Sequence, residues 1–232
     1  MQPHRMIRSR DRELWSRVRR SLPKSLSLAC AVLLSLSGCG GSGGSESVDS
    51  SLSLAETQAV LPNEKAVPDW TVAAEPMAYP LKKAVSQGLM SCYTDEACED
   101  VRYSGRSMLM ENRKPQISFV ILAYPDTETA KSAFAPVWKA WSGRVPDGKS
   151  LDLGDIGEQS DAVSGADASL VPGSKGVLSQ ARVGSVILLT HGAAAPKVEM
   201  EDSLIAEFAT MFAERARQAE KGETPSAAMA GT

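Results

Sequence analysis

The chain has 232 residues, length for one domain or at most two, with 25 basic and 28 acidic side chains and a net charge of −3. Eight of the basic and two of the acidic residues fall in 1–38, so the remainder holds 17 basic against 26 acidic and carries about −9. That excess of acid argues against binding nucleic acid or an anionic lipid surface through bulk electrostatics.

The first segment, MQPHRMIRSRDRELWSRVRR, is strongly basic, with Met1 or Met6 as possible starts, and gives way to a short apolar run over Leu26–Leu36. A basic region followed by such a run has the profile of a signal peptide. The run is shorter than the ~20 apolar residues that a helix needs to cross a hydrocarbon core. It ends in Leu36-Ser37-Gly38-Cys39, which resembles the lipobox of bacterial lipoproteins. The resemblance implies cleavage before Cys39, lipid on the Cys39 sulfur, and a chain held by that lipid on the extracytoplasmic face of a membrane.

Residues 40–53, GGSGGSESVDSSLS, offer too little apolar surface to offset ordering entropy, and 39–55 reads as a lipidated flexible tether. One globular domain is then expected over 56–219, followed by a disordered tail over 220–232 rich in Gly, Pro and small residues.

Within the domain, short strands fit Trp70–Ala73 and Ile156–Val163, and a helix fits Leu81–Leu89. Apolar residues at Ala130, Ala133, Phe134, Val137, Trp138 and Trp141 have helical spacing after the Pro125-Asp126 break, with Pro136 predicting a kink or restart. A second helix is predicted over Ser203–Ala219, carrying Leu204, Ile205, Phe208, Met211 and Phe212 on one stripe and Glu207, Glu214 and Arg215 off it, with Asp202 or Ser203 as its cap. Each of these helices follows a pair of strands: Met108–Glu111 with Ile117–Tyr124, and Gly176–Arg182 with Val186–Thr190. Lys114-Pro115 and Val183-Gly184 mark the turns. The pattern is an α+β domain, a mainly antiparallel sheet with helices packed on it, organised as two strand-strand-helix repeats. Layer packing places both helices on one face.

The candidate sites are few. Cys92 and Cys98 are the cysteines beyond the anchor, and in an oxidising compartment they are expected to pair, closing a loop worth about 2 to 3 kcal/mol. Their five-residue separation does not match a thiol oxidoreductase. Residues Gly143–Ser150, GRVPDGKS, match the letters of a P-loop, but a helix precedes them and LDLGD follows, the reverse of the strand-to-helix order that points backbone donors at phosphate. His191 is the single histidine after residue 38 and has no recognisable catalytic partners, and no serine stands in a nucleophile elbow. Asp95, Glu96, Glu99 and Asp100, and later Asp152, Asp155 and Glu158, lack the spacing of a calcium loop, so no metal or other cofactor is expected. Trp138 and Trp141, a turn apart, fit core packing or the wall of an apolar pocket. With Arg182 and His191 they form the candidate ligand pocket.

Gly154-Asp155 with Glu158, then GVLSQARVGSVILLTHG, then an amphipathic helix ending in FAERAR, resemble the PknH-like extracellular sensor domain family. That family occurs on mycobacterial receptor kinases and actinobacterial lipoproteins; Ser185 stands where it usually has Asn. The resemblance implies an antiparallel sheet with helices packed against it, a cleft of unsettled ligand, and no catalytic residues to carry over. The family often has two disulfides, whereas this ectodomain could form one. The expected function is that of a non-catalytic sensor or ligand-binding lipoprotein, with a small ligand or an envelope protein as partner. A structural or protein-interaction lipoprotein is the alternative.

Overall fold

The computed structural model describes residues 51–87, 95–111, 115–165, 175–193 and 200–231, all within one compact unit. The signal segment, Cys39 and Cys92 lie outside the described residues.

The first element is helix α1 (Leu54–Val60), whose start is set by a reciprocal cap. Ser53 Oγ accepts the Glu56 amide, and the Glu56 carboxylate accepts the Ser53 amide at 2.8 Å. Those hydrogen bonds hold the Glu56 carboxyl below its ordinary value. Leu52 is buried in the core, so the folded domain includes part of the 39–55 stretch expected to be tether. Two leucines, Leu52 and Leu54, interrupt the Gly/Ser run there and give it something to bury.

Strand β1 (Thr71–Pro80) follows, then the short helices α2 (Leu81–Ser86) and α3 (Asp95–Cys98), strands β2 (Tyr103–Met110) and β3 (Gln116–Ala123), and helix α4 (Thr127–Ser142). The second half contains β4 (Lys149–Ser150), β5 (Gln159–Gly165), β6 (Gly176–Val183), β7 (Val186–Ala193) and helix α5 (Asp202–Glu220). All seven strands form one antiparallel sheet in the order β1-β2-β3-β7-β6-β5-β4. Helix α4 is capped by Asp126, whose carboxylate accepts the Thr129 amide at 2.7 Å. It runs unbroken through Pro136, held by its buried face of Phe134, Val137 and Trp141. Helix α5 is entered at Glu201 without a side-chain cap, and neither Asp202 nor Ser203 takes that role.

The α+β class is observed, but the helices do not share a face. Phe119, Ile121, Val186 and Leu188 pack with Phe208 and Phe212 of α5 and with Val60 of α1. Val120, Leu122, Ile187 and Leu189, the alternate residues of the same strands, pack with Phe134, Val137 and Trp141 of α4 and with Ala97 of α3. The reason is in the strands. Every residue of β6 and β7 is buried, so the centre of the sheet is apolar on both sides and requires cover on both. Leaving one side open would forgo about 1.5 to 3 kcal/mol for each large side chain exposed.

The two strand-strand-helix units, β2-β3-α4 and β6-β7-α5, do meet at the sheet centre, where β3 pairs with β7 from Gln116↔Ala193 to Ala123↔Val186. Antiparallel neighbours are exchanged by a two-fold axis normal to the sheet, which preserves the face. Helices on opposite faces break that operation, so the repetition is one of chain order.

Residues 221–231 also differ from expectation. In place of a disordered tail they fold back along α5, with the Met229 amide donating to the Ala66 carbonyl at 2.8 Å and Met229 packed against the core. Their composition lacks periodicity because they take neither helix nor strand; groups on α5 order them from outside.

Candidate functional site

The motif residues at the end of β6 assemble around one turn. Gly184 has φ of 50° and Ser185 follows it, closing the hairpin between Val183 and Val186. The Glu158 carboxylate accepts the Gly184 amide at 3.0 Å and pairs with the Arg182 guanidinium at 3.4 Å. Arg182 also donates to Gln159 Oε1 at 2.6 Å and to the Gly184 carbonyl. From the other side Glu220, ending α5, accepts both the amide and the hydroxyl of Ser185, at 3.0 and 2.7 Å. The approach of the 154–158 segment requires Gly157, which has φ of 97° and lies so close to β6 that a Cβ would stand 2.4 Å from the Arg182 carbonyl oxygen. The motif is therefore a latch tying β5, the β6–β7 turn and α5 together.

The four candidate pocket residues separate accordingly. Trp141 and His191, both buried, meet edge to face with ring centroids 6.2 Å apart, and Arg144 lies 5.1 Å above the indole. Trp138 is half-buried at the rim of the same helix–sheet layer, its carbonyl accepting Ser142 Oγ. Arg182 is opposite Ile187 and His191 opposite Leu178, four positions away, a displacement of roughly 13 Å along the ladder. Arg182 thus belongs to the latch, at the other end of the strand pair.

An open pocket of about 50 Å³ lies on the opposite, α5-covered face, among Leu151, Asp152, Ile156, Asp161, Ser179 and Ala209. Its walls come from the 151–156 segment, from Ser160, Asp161 and Ala162 of β5, and from residues of β6 and α5, and they mix polar with apolar groups. The segment Gly143–Ser150 passes from the end of α4 into β4, and Gly148 is packed so tightly that a Cβ would meet Val163 at 2.4 Å. It forms a helix-to-strand connection with no helix amino end to receive phosphate.

Cys98 is a free, half-buried thiol, and burial raises its pKa; its expected partner Cys92 lies outside the described residues. The Tyr124 hydroxyl nearby is buried with no hydrogen-bond partner among the described residues. Burial, then the neighbouring Cys98 and Asp100, push its pKa upward, so it stays protonated. Among the described residues no group of His, Cys, Asp and Glu is arranged to hold a metal ion, and no helix is long and apolar enough to cross a membrane.

Two buried polar residues escaped the sequence reading. Gln180, in the middle of β6, donates across the layer to the Phe134 carbonyl at 2.7 Å. Arg215 of α5 donates to the carbonyls of Val60, Ala59 and Ala227 at 2.8, 2.7 and 3.1 Å, and desolvation lowers its pKa. Arg215 is not off the apolar stripe as expected: it follows Met211 and Phe212 at helical spacing, on the buried face of α5.

No protein-family profile matches the chain, and no curated protein does. Among solved structures it is similar to the extracellular domain of PknH from Mycobacterium tuberculosis, at 11% identity, with 70% of this chain and 96% of that one covered and a TM-score of 0.47.

Proposed function

We propose that this chain is a non-catalytic extracytoplasmic module, tethered to a membrane through lipid on Cys39, that senses or binds a ligand. The observation that carries the reading is the order of segments: a basic and then apolar leader ending in Leu36-Ser37-Gly38-Cys39, a Gly/Ser stretch, and a folded domain that includes Leu52. The ligand site best supported by shape is the pocket among Leu151, Asp161, Ser179 and Ala209, whose mixed lining suits a small molecule with polar as well as apolar groups.

The test is mass spectrometry of the protein purified from bacterial membranes. The expected result is an amino-terminal Cys39 carrying diacylglycerol, loss of that processing in Cys39→Ala, and a small molecule retained under native conditions. A mature chain starting elsewhere without lipid would remove the anchor.

A partner-binding role is the second reading, favoured by Met77, Met108 and Met110, which stand half-exposed on the α4 side of β1 and β2. A ligand-free protein that crosslinks to an envelope protein through these methionines would establish it.

A further inference from the structure

The segment after α5 lies in a groove whose hydrogen-bonding groups come almost entirely from the groove side. Gln218 Oε1 accepts the amides of Ser226 and Ala227, at 2.7 and 3.1 Å, and Gln218 Nε2 donates to Ser226 Oγ at 3.3 Å. Arg215 donates to the Ala227 carbonyl and the Ala66 carbonyl accepts the Met229 amide. Burial alternates along the segment: Pro225, Ala227 and Met229 are half-buried, while Thr224, Ser226, Ala228 and Ala230 are exposed. The segment is thus held in extended form by its main chain, with every second side chain turned inward and Met229 resting on the core.

We propose that the groove between α5 and residues 59–66 is a peptide-binding site, filled in cis by residues 223–231 and able to take an extended peptide of a partner protein in trans. Recognition of main chain by a fixed glutamine and arginine is tolerant of sequence. The inward positions define the peptide: a small residue, and two places on a flexible apolar one of methionine size. Arg215 is held independently of the strap by its bonds to Ala59 and Val60, whereas α5 places Gln218 and its side chain bonds the strap. The groove therefore keeps the Arg215 donors in place when the strap leaves, with Gln218 still presented by α5. The linked strap competes at an effective concentration on the order of millimolar, so a partner must match that or arrive tethered nearby. This site is separate from the pocket on β6 and does not depend on lipid at Cys39.

Hydrogen–deuterium exchange on the full mature chain tests it, with millimolar synthetic peptide of residues 222–232 as the probe. The peptide is expected to accelerate exchange across 223–231 at least tenfold while α5 stays protected, and a peptide carrying Met229→Glu is expected to have no effect. Gln218→Ala, which removes the strap's three bonds to that side chain, should free the segment without added peptide. Unchanged exchange at saturating peptide, or a strap that opens only with α5, would overturn the proposal. Protection that rises with protein concentration, accompanied by a dimer in light scattering, would also overturn it by assigning the groove to strap exchange between copies.

Discussion

Gly157 shows how one residue controls the latch. Its positive φ and the 2.4 Å that would separate a Cβ from the Arg182 carbonyl leave no relaxed place for a side chain. Gly157→Ala is expected to cost about 2 kcal/mol or more in urea unfolding, through strain and loss of the Glu158–Arg182–Gly184 contacts. Asp126 provides a test with a sign. The backbone amide of Thr129, its largest influence, lowers the carboxyl pKa in the folded state. The stability this contributes is present above the unfolded-state value and is lost as pH falls through the lowered folded value. Thermal unfolding from neutral to acidic pH should therefore show a smaller acid-induced drop in Asp126→Asn than in the parent chain. A drop of equal size would mean that the cap makes no net contribution. Arg182 marks the limit of residue-level reading, since a basic residue near a strand end fits a ligand pocket or an ion pair equally until Glu158, distant along the chain, is placed beside it by the pairing of β5 with β6.

Helices were the most legible elements because their apolar spacing repeats over several turns: α4 and α5 extend only a few residues beyond the periodic segments. Strand β1 was the least legible. Only Trp70–Ala73 reads as strand, because Pro76 and Pro80 look like breaks, yet the strand runs from Thr71 to Pro80. It can do so because it is an edge strand, where proline sacrifices no required ladder bond, and because register shifts between Val72 and Met77 absorb the irregularity. The capping box of α1 was hidden in a Gly/Ser stretch in which Ser53 looked like one more linker serine. Ser53→Ala should lower stability by about 1 kcal/mol in chemical denaturation. No change would show that α1 is held by Leu52 and Val60 without help from its cap.

At the scale of the molecule, the sheet is a partition between two cores. Phe119 sits at the centre of one, edge to face with Phe208 at 5.9 Å and Phe212 at 5.1 Å, while Trp70 closes on Phe208 at 5.1 Å. Phe119→Ala opens a cavity that these rings cannot fill and is expected to cost about 3 to 5 kcal/mol in denaturant unfolding. The same two-core arrangement separates the candidate features. Trp141 and His191 belong to the α4 side, the Leu151–Ala209 pocket to the α5 side, and no single cleft gathers all of them.

By itself the sequence determined what is written in short windows: the helices of the second half, the paired strands, and the turn at Gly184. Periodicity and turn chemistry are local properties, and they survive without knowledge of the fold. The tertiary structure alone decided which face each helix covers, what Arg182 and Arg215 bind, and that residues 221–231 are ordered. Arg215 meets Val60 across 155 residues of chain. Such contacts exist only after the sheet has closed, because a buried guanidinium takes whichever carbonyls the packed layers bring to it.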